Sequence, residues 1–134
     1  MPDPLLSSLV IRTNRLDACA QFYWELGLTL TQERHGDGPL HYSARSGDVL
    51  LEFYPAGSKG DLIGEGMMIG FHVADLDDTL SRLRSGNAPL VKAPEDTRWG
   101  RRAVVVDPDG RKVEIYEREV SRGAGESGAH KSGE

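Results

Sequence analysis

Apolar and polar positions along the chain follow two rhythms, and these recur in the same order twice. Residues 7–13 (SSLVIRT) alternate and are rich in branched side chains, the signature of a half-buried strand. Leu16, Ala20 and Tyr23 then fall at i, i+4 and i+7, one apolar stripe of a helix. Asn14 is placed to cap its start, and Gly27 stands where a left-handed residue closes a helix. Three more strands are predicted at 28–33, 40–45 and 49–54. Gly36-Asp37-Gly38 and Ser46-Gly47-Asp48 separate them as the turns of a meander. Residues 55–66 read as a linker, after which the order restarts. A strand over 68–73 leads to a helix capped by Asp75, with Leu76, Leu80 and Leu83 again at i, i+4 and i+7. Ser85-Gly86-Asn87 stops that helix, and strands follow at 90–92, 102–107 and 111–117. Asp107-Pro108-Asp109-Gly110 turns the last two into a hairpin.

The repeat survives a check by offset. Leu16-Asp17 maps onto Leu76-Asp77 at a shift of 60 residues, and Leu51-Glu52-Phe53 onto Val113-Glu114-Ile115 at a shift of 62. The chain therefore reads as α+β, with βαβββ modules at about 5–56 and 66–118 inside one domain spanning 1–120. A lone module would leave a sheet face bare, so two are expected to pair. Residues 121–134 offer only alanines on the apolar side, too little to offset the entropy of ordering, and are predicted to be a disordered tail.

Charge and cysteine content narrow the function classes. A net charge of −5 weighs against a nucleic-acid partner, whose phosphates demand a basic face. One cysteine permits no internal disulfide. The N-terminus lacks the basic start and apolar run of a secretory signal, and no apolar run is long enough to span a bilayer. A cytoplasmic location with no membrane partner is the expectation.

Three segments carry a resemblance. The run LVIRTNRLDACAQFYWELGL, above all Phe22-Tyr23 with Leu26-Gly27-Leu28, then IGFHVADLDDTLSRL, and then Trp99-Gly100 with DPDGRKVEIYE, resemble the vicinal oxygen chelate (glyoxalase/bleomycin-resistance/dioxygenase) superfamily over residues 5–118. The resemblance implies a cup-shaped eight-stranded mixed sheet with helices outside, often built across a homodimer. It also implies, in many members, one divalent metal held from the first and last strand of each module by His, Gln or Glu. Members of the antibiotic-binding branch lack it. Carried over by spacing, those positions are Ser8, Glu52, Met68 and Glu114. A serine hydroxyl is a poor ligand, and a thioether is too soft for an ion that two glutamates would favour. His72 lies about 13 Å along the strand from Met68 at ~3.3 Å per residue, too far to substitute. Leu6, Ser7, Leu9, Val10, Met67 and Ile69 are no better. No metal of the family kind, and no other cofactor, is expected.

Strand parity then sorts the faces. Val49, Leu51 and Phe53 oppose Leu50, Glu52 and Tyr54, while Val113 and Ile115 oppose Lys112, Glu114 and Tyr116. With Leu9, Ile11, Ile69, Phe71 and Val73 turned to the helices, Arg12 and His72 turn to the cup. The expected ligand-binding set is Arg12, Glu52, Tyr54, His72, Trp99, Glu114 and Tyr116, with Trp99 as a wall for a planar ligand. Two carboxylates in one hollow repel, which favours a proton on one of them and makes Glu52 and Glu114 the candidate acid–base groups. The plainer alternative has them neutralised by Arg12, Lys112 or a tyrosine hydroxyl. Cys19 reads as a packed, idle thiol, and His35 and His41, flanking a glycine turn, as surface residues. The expected function is metal-independent binding, and so sequestration, of an aromatic or cationic small molecule. The alternative is a glyoxalase-like lyase, isomerase or dioxygenase with a divergent metal or glutamate-based site.

Overall fold

A computed structural model describes residues 2–57 and 66–118. Most of the expected linker and the whole of the expected tail, 121–134, lie outside the described residues. The first module comprises β1 (Ser8–Thr13), α1 (Leu16–Leu26), β2 (Thr31–Glu33), β3 (His41–Ser46) and β4 (Val49–Pro55). The second comprises β5 (Met68–Val73), α2 (Leu76–Ser85), β6 (Leu90–Thr97), β7 (Gly100–Val106) and β8 (Lys112–Glu117). The strands form two four-stranded sheets, ordered β1-β4-β3-β2 and β5-β8-β7-β6. In each sheet the opening strand runs parallel to the closing one and the remaining pairs are antiparallel. The repeat inferred from spacing is thus a repeat of topology. The sheets are not closed onto each other within the chain.

Burial follows the predicted parity. Along β1, Ile11 and Thr13 are buried while Ser8, Val10 and Arg12 are exposed, and on β4 Leu51 and Phe53 are buried. The apolar faces meet the helices in one core that joins Phe22, Tyr23 and Leu26 of α1, Leu76, Leu80 and Leu83 of α2, and Phe53 and Ile115 of the two sheets. Tyr23 packs its ring 4.9 Å from Phe53 in one sheet and 6.2 Å from Phe71 in the other. Each such fully buried side chain is worth roughly 1.5–3 kcal/mol over its exposed state. Among the described residues, no helix is long and apolar enough to cross a membrane.

The Asp107–Arg111 turn ties the second module to the first. Asp107 is buried and its carboxylate accepts from four donors: the Tyr23 hydroxyl (2.7 Å), the Arg111 guanidinium (2.7 Å), and the N–H groups of Asp109 (2.9 Å) and Arg111 (3.0 Å). Arg111 also donates to Asp109 at 3.0 Å and to the Arg12 carbonyl of β1 at 3.5 Å.

Some local details depart from the sequence reading. Asn14 does not cap α1. Arg15 holds the N-cap position without a side-chain hydrogen bond, and the buried Thr13 hydroxyl accepts the Arg15 N–H at 2.9 Å. Helix α2 does stop at Ser85-Gly86-Asn87, with the positive φ on Asn87 (66°). Strand β6 runs on to Thr97 through Pro94, which is tolerated because β6 is an edge strand broken by register shifts. Asp75 does cap α2, accepting the Asp78 N–H at 3.0 Å, and Gly27 (φ 124°) closes α1.

Candidate functional site

The faces turned away from the helices carry the candidate site in two copies. Glu52 lies in register between Val10 of β1 and Ser43 of β3, and Glu114 between Gly70 of β5 and Val104 of β7. Both side chains are largely buried, at 19% and 17% exposure. Each faces its own base on the neighbouring strand: Glu52 stands 3.9 Å from His41 Nε2, and Glu114 stands 3.8 Å from Arg102 Nε. The groups that balance the glutamates are therefore neither Arg12 nor Lys112. Arg12 instead lies over the Tyr54 ring, 5.7 Å from its centroid, and Lys112 is exposed.

Each tyrosine sits between one arginine and one histidine, and the two modules exchange them. In the first, Tyr54 has Arg12 beside it on β1 and stacks on His41 of β3, with centroids 4.2 Å apart. In the second, Tyr116 stacks on His72 of β5 at 5.5 Å and pairs in register with Arg102 of β7. Partial burial and then the nearby Glu114 charge push the Tyr116 hydroxyl pKa upward, against a lowering by Arg102. Sequence reading missed His41 and Arg102. His41 is buried, not a surface residue, because the β2–β3 hairpin sets it opposite Glu33 and Tyr54 covers its ring. Its parity with Ser43, the residue opposite Glu52, was the signal available.

The structure gathers Arg12, Glu52 and Tyr54 on one sheet and His72, Glu114 and Tyr116 on the other; the two groups do not meet on a common sheet. Trp99 stands apart from both, 61% exposed at the tip of the β6–β7 hairpin with Arg98 over its ring. A cleft of about 380 Å³ lies on the helix side among Leu28, Phe71, Asp78, Thr79 and Arg82. Of the expected set it includes only His72.

The residues present do not fit the superfamily's metal. Ser8 and Met68 are exposed, and the residues opposite the glutamates on the opening strands are Val10 and Gly70, which bring no donor. Even a methyl group on Gly70 would press within 3.3 Å of Glu114 Cγ.

Cys19 is buried between the Thr13 hydroxyl (3.5 Å) and the Asp109 carboxylate (3.4 Å). Burial, reinforced by the charges of Asp109 and Asp107, pushes its thiol up to about 12, so it is no nucleophile.

A family model described as the Glyoxalase/Bleomycin resistance protein/Dioxygenase superfamily matches residues 5–115. The chain belongs to this superfamily. An uncharacterized protein of Mycolicibacterium smegmatis is 28% identical over 116 residues, spanning 87% of this chain and 96% of that protein. Among solved structures, TnmS3, an antibiotic binding protein from Streptomyces, superposes with a TM-score of 0.67 at 17% identity, over 89% of this chain and 99% of its own. A glyoxalase/bleomycin resistance protein/dioxygenase family enzyme from Burkholderia phytofirmans gives 0.66 at 20% identity, over 83% and 96%. At these identities the structures speak for the fold, and the fold hosts both binders and enzymes.

Proposed function

We propose that this superfamily member binds and sequesters an aromatic, cationic small molecule, without the superfamily's metal. The observation that carries the reading is the doubled Glu-x-Tyr face. Glu52 with Tyr54, and Glu114 with Tyr116, put a carboxylate beside an aromatic ring on each sheet. Tyrosine rings stack on planar ligands, and both rings and carboxylates attract a cation. Apolar surface lies beside them, with Val10 45% and Met68 49% exposed on the same faces.

Each face is half of a cup. We read the functional form as a homodimer in which the Glu52 face of one copy closes over the Glu114 face of the other, giving two cups. Arg12, His72 and the exposed Trp99 would then rim the ligand. The antibiotic-binding TnmS3 supports the binding reading by analogy of fold. A lone, reduced Cys19 accords with a cytoplasmic protein.

Sedimentation velocity and a melting-shift screen with planar aromatic cations test this together. A dimer whose Tm rises with such compounds, and whose rise is lost in Glu52→Gln and Glu114→Gln, is the expected result. A strict monomer contradicts the shared cup. Shifts unchanged in both variants remove the glutamates from the site.

A further inference from the structure

We propose a second site, for a divalent ion of the zinc class, at the β2–β3 hairpin of the first module, built from Glu33, His35, His41 and Glu52. It goes beyond the ligand-binding reading and, although Glu52 belongs to both, does not depend on it. Two of the four histidines in the chain fall here. The ligand atoms of Glu33, His35 and His41 lie within 4.8 Å of one another. Glu33 Oε1 is 3.4 Å from His41 Nε2 and 3.5 Å from His35 Nε2, and Glu52 Oε2 is 3.9 Å from His41 Nε2. A tetrahedral ion with bonds of about 2.0–2.2 Å keeps its donors roughly 3.3–3.6 Å apart, so Glu33, His35 and His41 close on one with modest movement, and Glu52, beside His41 but outside that group, swings in as the fourth ligand.

His41 points to a ligand independently of the clustering. It is 1% exposed, yet its Nε2 has no hydrogen-bond partner. Its Nδ1 lies 3.2 Å from the Pro39 carbonyl, which can only accept and so holds that nitrogen as the donor, leaving Nε2 as the ring atom next to Glu33 and Glu52. A backbone carbonyl on the far nitrogen is the arrangement that orients a metal-binding histidine. Tyr54, its ring nearly parallel at 9° and stacked on it, fixes the imidazole from its flat side. An ordinary His–Glu ion pair would instead aim an Nε2–H at a carboxylate in hydrogen-bond geometry, and none is made.

The donor set selects the ion. Two imidazoles and two carboxylates balance a 2+ charge and suit zinc, cobalt or nickel, whereas calcium and magnesium call for oxygen throughout. His35, 73% exposed, and Glu33, 35% exposed, leave a path from solvent. The second module has no counterpart, because Arg102 pairs with Tyr116 where His41 stacks on Tyr54, and a guanidinium does not ligate. Of the positions the superfamily uses for its own metal, only Glu52 takes part.

The full chain, stripped with chelator, is titrated with Co²⁺ while the visible absorption of tetrahedral cobalt is read, and with Zn²⁺ by calorimetry. One equivalent of Co²⁺, displaced by Zn²⁺, is expected. His35→Ala, at an exposed position, weakens binding at least tenfold with the fold unchanged by circular dichroism, and His41→Gln abolishes the cobalt band. Glu114→Gln, His72→Ala and His130→Ala leave both readouts as in the parent. Absence of the band, or the same titration in His35→Ala as in the parent, overturns the site, as does loss of binding in His130→Ala alone.

Discussion

Removing the Asp107 carboxylate should cost more stability than any other single polar change among the described residues. In Asp107→Ala the Arg111 guanidinium, 3% exposed, loses its closest counter-charge but keeps Asp109 at 3.0 Å. Breaking a buried pair on one side costs about 3–5 kcal/mol, and the remaining Asp109 places this case near the lower end. The Tyr23 hydroxyl, buried with no other acceptor assigned to it, adds about 1–3 kcal/mol as an unsatisfied donor. The terms share a network and do not simply add, so a loss of roughly 4 kcal/mol is expected. Tyr23→Phe, which leaves Asp107 three donors, should cost only about 1.5 kcal/mol. Urea unfolding followed by circular dichroism reads both. With a slope of about 1–3 kcal/mol per molar, Asp107→Ala lowers the midpoint by roughly 2 M. If Asp107→Ala costs under about 1 kcal/mol, or no more than Tyr23→Phe, the turn is not the tie between modules.

Asp75→Ala removes the side-chain cap of α2 and should cost about 1 kcal/mol in the same assay, whereas Asn14→Ala, at a position that caps nothing, should be near neutral. Cys19 should resist thiol reagents in the native state at pH 8 and react at the rate of unfolding; rapid native labelling would contradict its burial. Because its folded value, about 12, lies above the ordinary 9.0, the unfolded chain ionises first. Its contribution to stability is therefore whole below pH 9 and lost between pH 9 and 12, and Cys19→Ala should make the alkaline decline shallower. Tyr23, also pushed up by burial, keeps that decline from vanishing in the variant.

The fold was legible because hydrophobic parity is enforced by burial. Moving Phe53 or Ile115 by one residue would send it out of the core, so β4 and β8 declared their faces in sequence. Asp75 and Gly27 were legible for a like reason, since a cap and a positive φ admit few residue types. Edge strands were less so. Thr31–Glu33 is short and Pro94 interrupts β6, so neither showed a clean alternation. The site was half legible. Parity put Glu52, Tyr54, Glu114 and Tyr116 on the open faces, but their partners His41 and Arg102 come from middle strands, where hairpin register decides the neighbours. A glycine turn beside His41 suggested solvent; the hairpin it forms is what buries the ring.

The ligand-binding claim rests on Glu52 and Glu114 acting on one guest, and calorimetric titration of the full-length protein with a planar aromatic cation such as proflavine tests it most directly. The account predicts one guest per chain in a dimer, affinity falling with added salt, and a loss of at least tenfold in the Glu52→Gln/Glu114→Gln double variant. Equal affinity in that variant, or tighter binding of an aromatic anion than of the cation, would contradict it.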